Sequence, residues 1–402
     1  MKKSFIATGL FGALLASQVF AGGIDAKTNL SVGYLRNPSR NTESERPEAA
    51  LYNIAGTAFM ADGLYIEAGD QFIFKTYSHE MAGTEYKDEK PVFLFPNAEV
   101  VYKHGKLGFF ATFQVAAGGG SLEYKDGSAA TAQALYALTH SLLPHSLDIY
   151  SVTFGENVGV SYQINDIVSL SGAVRFLQAE QSMTLKATGL GELGYEASGF
   201  GVGGIFGVNV RPVEKLDLSF QYKTITKMEC EIDSLKGNAA AQAAMNSSFG
   251  IAKGNKYDSD LSAEFNAGAG YKFTDALYVS SSFNYYFNKQ ADMGSALSST
   301  NAEYDDSWEI YGGADYAINK KVLVSGGIGY SKQGFNDEYN NVFSPVLDCV
   351  SFGAGAEVSP VDNLKLTFGG MYAKYLEEEY NSLKLNKSII MLNLSATYKF
   401  GL

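Results

Sequence analysis

The chemistry this chain can offer is set by a short inventory. It has four histidines, His79, His104, His140 and His145, and two cysteines, Cys230 and Cys349. His140 and His145 with Asp148 form the densest group. Their five-residue spacing in a Leu- and Pro-containing loop matches no metal-ligand pattern, so no metal is expected. No serine stands in a nucleophile elbow beside a histidine, so hydrolase chemistry is not expected either. The histidines read as solvated loop residues. Cys230 and Cys349 lie 119 positions apart near strand ends, and whether they pair is open. The reading is a protein that is not an enzyme and needs no cofactor. What remains is binding chemistry. Arg175 and Arg211 sit at inward strand positions, where a guanidinium could take a carboxylate bidentately. The competing reading is that each braces the wall in a structural ion pair.

Such arginines need elements to hold them. The 402 residues include 26 Tyr, 26 Phe and 43 Gly but only 8 Pro, at a mean hydropathy of −0.07. A helical membrane protein would be far more apolar, and 46% apolar residues are too many for a disordered chain. The net charge of −12 argues against nucleic-acid partners. Two cysteines exclude a disulfide scaffold. Strands that alternate apolar-out and polar-in account for the combination.

That alternation is visible along the chain. Leu261, Ala263, Phe265, Ala267, Ala269, Tyr271 and Phe273 interleave with Ser262, Glu264, Asn266, Gly268, Gly270 and Lys272. Successive strand side chains point to opposite faces, so the segment has one greasy and one polar side. Fourteen such strands are expected, at about 63–77, 96–104, 107–118, 147–164, 167–180, 200–211, 216–228, 259–273, 276–289, 304–318, 321–334, 347–359, 364–377 and 387–400. Six connections are tight, among them Asn165-Asp166, Thr274-Asp275 and Asn319-Lys320, and longer ones lie between them. Short turns alternating with long loops are the signature of an all-β, fourteen-stranded antiparallel transmembrane β-barrel.

The N-terminus supplies an address. Lys2 and Lys3 precede an apolar run to Phe20, and Val19-Phe20-Ala21 offers a cleavage site. Residues 1–21 therefore read as a secretory signal peptide, and the barrel belongs in the outer membrane of a diderm bacterium. Residues 62–402 form the barrel. Residues 22–61 do not alternate, and their stretch Ala49-Ala50-Leu51-Tyr52 with Ile54 to Met60 is too greasy for a solvated tail. They read as a hatch folded into the lumen.

Three stretches carry a resemblance: Tyr34-Leu35-Arg36-Asn37-Pro38-Ser39-Arg40, then Ala50-Leu51-Tyr52-Asn53-Ile54-Ala55-Gly56-Thr57-Ala58, then Asp62-Gly63-Leu64. The chain resembles the FadL/TodX/OmpP1 outer-membrane transport family, known for an N-terminal hatch with an Asn-Pro-Ala-Gly motif before a fourteen-stranded barrel. Asn53, Ala55 and Gly56 match that motif, and Ile54 stands where the family has Pro. Arg36, Asn37, Pro38 and Arg40 form a second hatch motif. The final strand, ending Tyr398-Lys399-Phe400, is similar to the terminal strand that the barrel assembly machinery reads in outer-membrane proteins.

The resemblance implies passive uptake of long-chain fatty acids or aromatic hydrocarbons: capture by outer loops, lumenal binding, and release beside a kinked third strand or past the hatch. Leu135, Tyr136, Leu138, Leu142 and Leu143 are the candidate capture surface. Arg175 and Arg211 are the candidate partners of a fatty carboxylate, and Gly105, Gly108 and Gly118 the candidate kink. The partners expected are the hydrophobic ligand, outer-membrane lipid and the assembly machinery. Two rival functions stay open, a general porin for hydrophilic solutes and a surface antigen or adhesin.

Overall fold

The computed structural model describes residues 31–292, 305–334, 343, 345–380 and 382–401, so the expected signal peptide lies outside the described residues. The alternating segments form one closed antiparallel barrel of fourteen staves. These are β1 (Gly63–Met81), β2 (Thr84–Asp88 and Asn97–His104), β3 (Leu107–Tyr124), β4 (His145–Gln163), β5 (Val168–Ala187), β6 (Gly191–Val213) and β7 (Leu216–Lys223 and Met228–Lys236). They continue as β8 (Lys256–Asp258 and Ala263–Lys272), β9 (Leu277–Phe287), β10 (Ser307–Asn319), β11 (Val322–Lys332), β12 (Cys349–Val361), β13 (Leu364–Tyr375 and Glu378–Tyr380) and β14 (Leu383–Phe400). β14 closes on β1 from Leu64↔Phe400 to Glu80↔Lys384, so the wall is a ring. Closure pairs the backbone groups that hydrocarbon could not solvate.

The two faces are inverted relative to a soluble protein. Ile66, Phe74, Phe109, Val158, Phe206, Phe352 and Leu392 point outward and are exposed, whereas Glu99, Asn157, Asn209, Gln221, Glu309 and Ser395 point inward and are buried. That is the arrangement a lipid-facing wall requires. At one end, tight turns of two to four residues join the staves. Asn165 Oδ1 accepts the Ile167 and Val168 N–H groups at 2.8 Å each, and Asn319 Oδ1 accepts those of Lys321 and Val322 at 2.8 and 3.1 Å. These side-chain acceptors fix the turns locally.

The opposite end departs from the sequence reading. β1 and β2 continue as a ladder to a tip at Ala82 and Gly83, and β5 and β6 to a three-residue tip at 188–190. Two connections that read as long loops are thus strand extensions. Met183, Leu185, Tyr195 and Ala197 there are buried in an apolar cluster above the lumen, which keeps the ladders together. Conversely, β7 is broken at 224–227 and β8 at 259–262, with a single bridge, Thr226↔Leu261, across the breaks. The long connections carry α3 (Ala129–Thr139) and α4 (Ala239–Phe249).

Residues 31–60 fold inside the ring, in its turn-end half. They form α1 (Val32–Arg36), α2 (Ala49–Tyr52) and a 3₁₀ turn (Gly56–Phe59), and nearly every residue is buried.

Candidate functional site

The segment is fastened by charge. Arg36 Nη1 and Arg40 Nη1 donate to the two oxygens of Asp315 on β10 at 3.3 Å each, and Asn37 Nδ2 reaches Asp315 Oδ1 at 3.3 Å. Arg40 also binds Glu43 and Glu48. Arg46 clasps Glu357 of β12 bidentately, at 2.5 and 3.1 Å, and Lys365 joins Glu357 at 3.2 Å. Burial alone would raise the Glu43 carboxyl; Arg40, Arg46 and the Glu45 N–H overcome it and hold the group at about 2. Pro38 lies over Gly327 and Gly353, against the inner faces of β11 and β12. Asp315 and Glu357 read from the sequence as inward charges of lumenal ion pairs, but their pairing with Arg36, Arg40 and Arg46, and the roles of Glu43 and Glu48, did not. Three arginines in a buried stretch were the available signal, because each needs a nearby acid.

The Asn53 motif holds the other end. Asn53 Nδ2 donates to Glu43 O at 3.0 Å and to Asn209 Oδ1 at 2.7 Å, and Asn53 Oδ1 accepts the Gly56 N–H at 3.1 Å. A Cβ on Gly56 would stand 2.4 Å from Asn53 Nδ2 and 2.6 Å from Glu43 O, so glycine is required by close approach. Ala55 O accepts Ser169 Oγ at 2.8 Å. Ile54 has an N–H that proline lacks, and it donates to Gln221 Oε1 at 3.1 Å, while Gln221 Nε2 donates to Leu51 O at 3.2 Å. The departure from Pro is therefore matched by a side chain on β7.

The two candidate arginines behave differently. Arg211 is half-buried, bound to Asp217 at 2.6 Å and Ser44 Oγ at 2.6 Å, with its guanidinium 4.2 Å from the Phe59 ring centre. It is a wall-to-segment brace. Arg175 is buried, and its Nη2 donates to Thr224 O at 3.0 Å and its Nε to Thr226 Oγ1 at 3.1 Å, filling the break in β7. It lines a cavity of about 30 Å³ with Leu51, Gln114, Ala116, Asn157 and Ile205. That is room for a water rather than for a hydrocarbon. Glu264, which lines the same cavity and pairs with Lys223 at 3.0 Å, is the acid that acts on Arg175 electrostatically. A second cavity, of about 230 Å³, opens at the turn end beside Arg40, Tyr278 and Asp315.

The wall itself is interrupted beside the first cavity. The β2–β3 ladder stops at Ala98↔Phe113. Beyond it β2 leaves its course over 89–96, punctuated by Pro91 and Pro96, and touches β1 through Ile73↔Val92. Phe93 and Leu94 face outward, 59% and 73% exposed. On the other side β3 bulges twice, with register shifts at Val115/Ala117 and Ala117/Gly120. Gly118, at φ +86°, makes the second bulge; a Cβ there would sit 2.5 Å from Ser151 O. Gly105 lies in the β2–β3 turn and Gly108 in regular ladder, so neither bends the strand.

The geometry has known counterparts. A family model described as a porin subfamily matches residues 228–396. No curated protein matches the sequence. A Pseudomonas aeruginosa FadL homologue superposes with a TM-score of 0.71 at 14% identity, over 95% of this chain and 100% of that one. The P. putida toluene transporter TodX gives 0.66 at 16% identity over 90% and 98%. The Ralstonia pickettii toluene transporter TbuX gives 0.64 at 15% over 91% and 98%. The chain has the FadL-type fold.

Within that FadL-type barrel the outer-loop candidates divide. Leu135 is buried against the apolar cluster at the top, while Tyr136 and Leu142 are 52% and 79% exposed and Leu143 is half-buried. Leu142 and Leu143 lie past the end of α3, which closes at His140, and the Leu138 side chain lies outside the description. One histidine corrects the sequence reading: His79 is fully buried, stacks on Tyr86, and accepts the Ala129 N–H at the start of α3 at 3.1 Å. His145 is half-buried and meets Thr131 Oγ1 at 2.8 Å. Cys230 and Cys349 are both buried, and no disulfide joins them.

Proposed function

We propose that this chain is an outer-membrane channel for passive uptake of hydrophobic small molecules, with residues 22–61 as its hatch, residues 62–402 as the barrel, and residues 1–21 as a cleaved export signal. The observation that carries the reading is the pairing of a segment folded inside the ring with an interrupted wall. A general porin needs an open axial path, and the segment at residues 31–60 fills it. A hydrophobic molecule has no need of that path, because lipid lies beside the break at Phe93 and Leu94.

In this reading Tyr136 and Leu142 offer apolar area to a molecule arriving from outside, and burial contributes about 25 cal/mol per Å² of that area. The ligand then displaces Leu51 and its neighbours to enlarge the cavity at Arg175. Arg175, whose neighbouring acid Glu264 is already paired with Lys223, suits a fatty-acid head, while a neutral aromatic would use only the apolar walls. Release runs sideways between β2 and β3. Outer-membrane lipid is the receiving phase, and the barrel assembly machinery would read β14.

Uptake tests this against the porin alternative. Proteoliposomes or diderm cells carrying the chain should accumulate labelled oleate or toluene faster than controls, with no gain in permeability to sugars. Rapid sugar permeation without hydrocarbon uptake would establish the porin instead.

A further inference from the structure

Where the β2–β3 ladder is missing, one buried carboxylate takes its place. Asp88 ends the outer piece of β2 and is fully buried. Its Oδ1 accepts the Glu123 N–H of β3 at 2.6 Å and the Lys90 N–H at 3.3 Å. Its Oδ2 binds the ammonium of Lys75 on β1, itself 5% exposed. One side chain thus joins β1, the start of the break and the far edge of the opening. The Glu123 N–H faces the side from which β2 has departed, so Asp88 supplies the acceptor that a neighbouring carbonyl would normally give.

The other ties at the break are weaker or lead elsewhere. Lys90 and Glu123 meet at 3.4 Å with both side chains substantially exposed, a contact worth little. Asp70 Oδ1 accepts the Phe95 N–H at 2.7 Å, which fastens the lower end of the break to β1 and not to β3. Between these, Val92 faces Gly120 across the opening, where a Cβ on the glycine would lie 3.5 Å from a Val92 methyl.

We propose that Asp88 is a positioning residue for the side opening. Through Lys75 and Glu123 it sets how far the bulged half of β3 stands from β2, and so the width of molecule that can leave the lumen through the wall. This rests on the side-exit reading above. A short carboxylate held by an ammonium keeps the opening narrow, which favours narrow apolar molecules such as single-ring aromatics and unbranched chains over wider fused-ring ones.

The test uses the full-length protein in nanodiscs and proteoliposomes, as wild type, Asp88→Ala, Asp88→Asn and Lys75→Met. Amide hydrogen exchange is followed in peptides covering 114–124, and uptake is compared for toluene and pyrene. Asp88→Ala should speed exchange at 114–124 by roughly tenfold or more, leave the 168–213 hairpin unchanged, and raise the pyrene-to-toluene uptake ratio. Asp88→Asn and Lys75→Met should shift both readouts less, since Oδ1 can still accept from Glu123; Lys75→Met also serves if Asp88→Ala does not assemble. Unchanged exchange at 114–124, exchange raised all round the barrel, or local loosening with an unmoved uptake ratio would each overturn the proposal. If wild type takes up neither probe, the transport reading fails instead, while the exchange measurement still decides whether Asp88 ties the edge.

Discussion

Asp315→Asn should undock the N-terminal segment. Asp315 receives Arg36, Asn37 and Arg40 at 3.3 Å each, and Arg36 has no exposed surface. Asparagine keeps the shape and removes the charge, which leaves the Arg36 guanidinium buried without its counter-ion. Breaking one side of such a pair costs about 3–5 kcal/mol. At about 1.4 kcal/mol per decade, the docking equilibrium moves by roughly two to three and a half orders of magnitude. The loss falls on docking rather than on the barrel, whose ladder is closed without the segment. Trypsin reports it directly, because Arg36 and Arg40 are followed by Asn residues and are buried while docked. Wild type should resist cutting at both sites, and Asp315→Asn should be cut at both and show conductance steps in planar bilayers. Asp217→Asn breaks the half-buried Arg211 pair at the rim and should cost under about 1 kcal/mol. If Asp315→Asn stays as resistant and as silent as Asp217→Asn, the ion network does not hold the segment.

Three further outcomes follow from the same geometry. Arg175→Met should weaken binding of a fluorescent fatty acid by roughly tenfold or more while leaving toluene uptake unchanged, since a neutral aromatic makes no use of the guanidinium. Gly56→Ala, with its Cβ 2.4 Å from Asn53 Nδ2, should destabilise docking by about 1–3 kcal/mol, read as faster trypsin cleavage at Arg40. Acid should loosen the segment late: the Glu43 carboxyl is held at about 2, so its contribution is complete above the ordinary carboxylate range and is lost as pH falls through about 2. Conductance should therefore stay low from pH 7 to about 4 and rise only below about 3.

The staves were legible because one physical rule writes them, a greasy face against lipid and a polar face inward. Turn chemistry marked one end, since Asn165 and Asn319 act on N–H groups two and three residues away. The breaks were not legible. Thr224 to Lys227 reads as strand by composition, and it is interrupted where Arg175, some fifty residues earlier, takes the Thr224 carbonyl. Arg36 and Arg40 were legible as candidates and the acid partners of the segment were not, because Asp315 and Glu357 lie hundreds of positions away and look like any inward charge. Gly118 carried its signal in a run of three glycines, whereas Gly105 and Gly108 answered only to turn and register. His79 was misread because the strand extension that buries it continues past a polar stretch. The substitution of Ile54 for proline became interpretable only beside Gln221.

The central claim is that an apolar guest enters this lumen. Native mass spectrometry of the barrel ejected from membrane or nanodiscs, after incubation with oleate, measures that most directly. The account predicts one oleate per barrel, with occupancy falling in Arg175→Met. A guest-free barrel at saturating oleate, or equal occupancy in both proteins with oleate removed by a lipid wash, would contradict it.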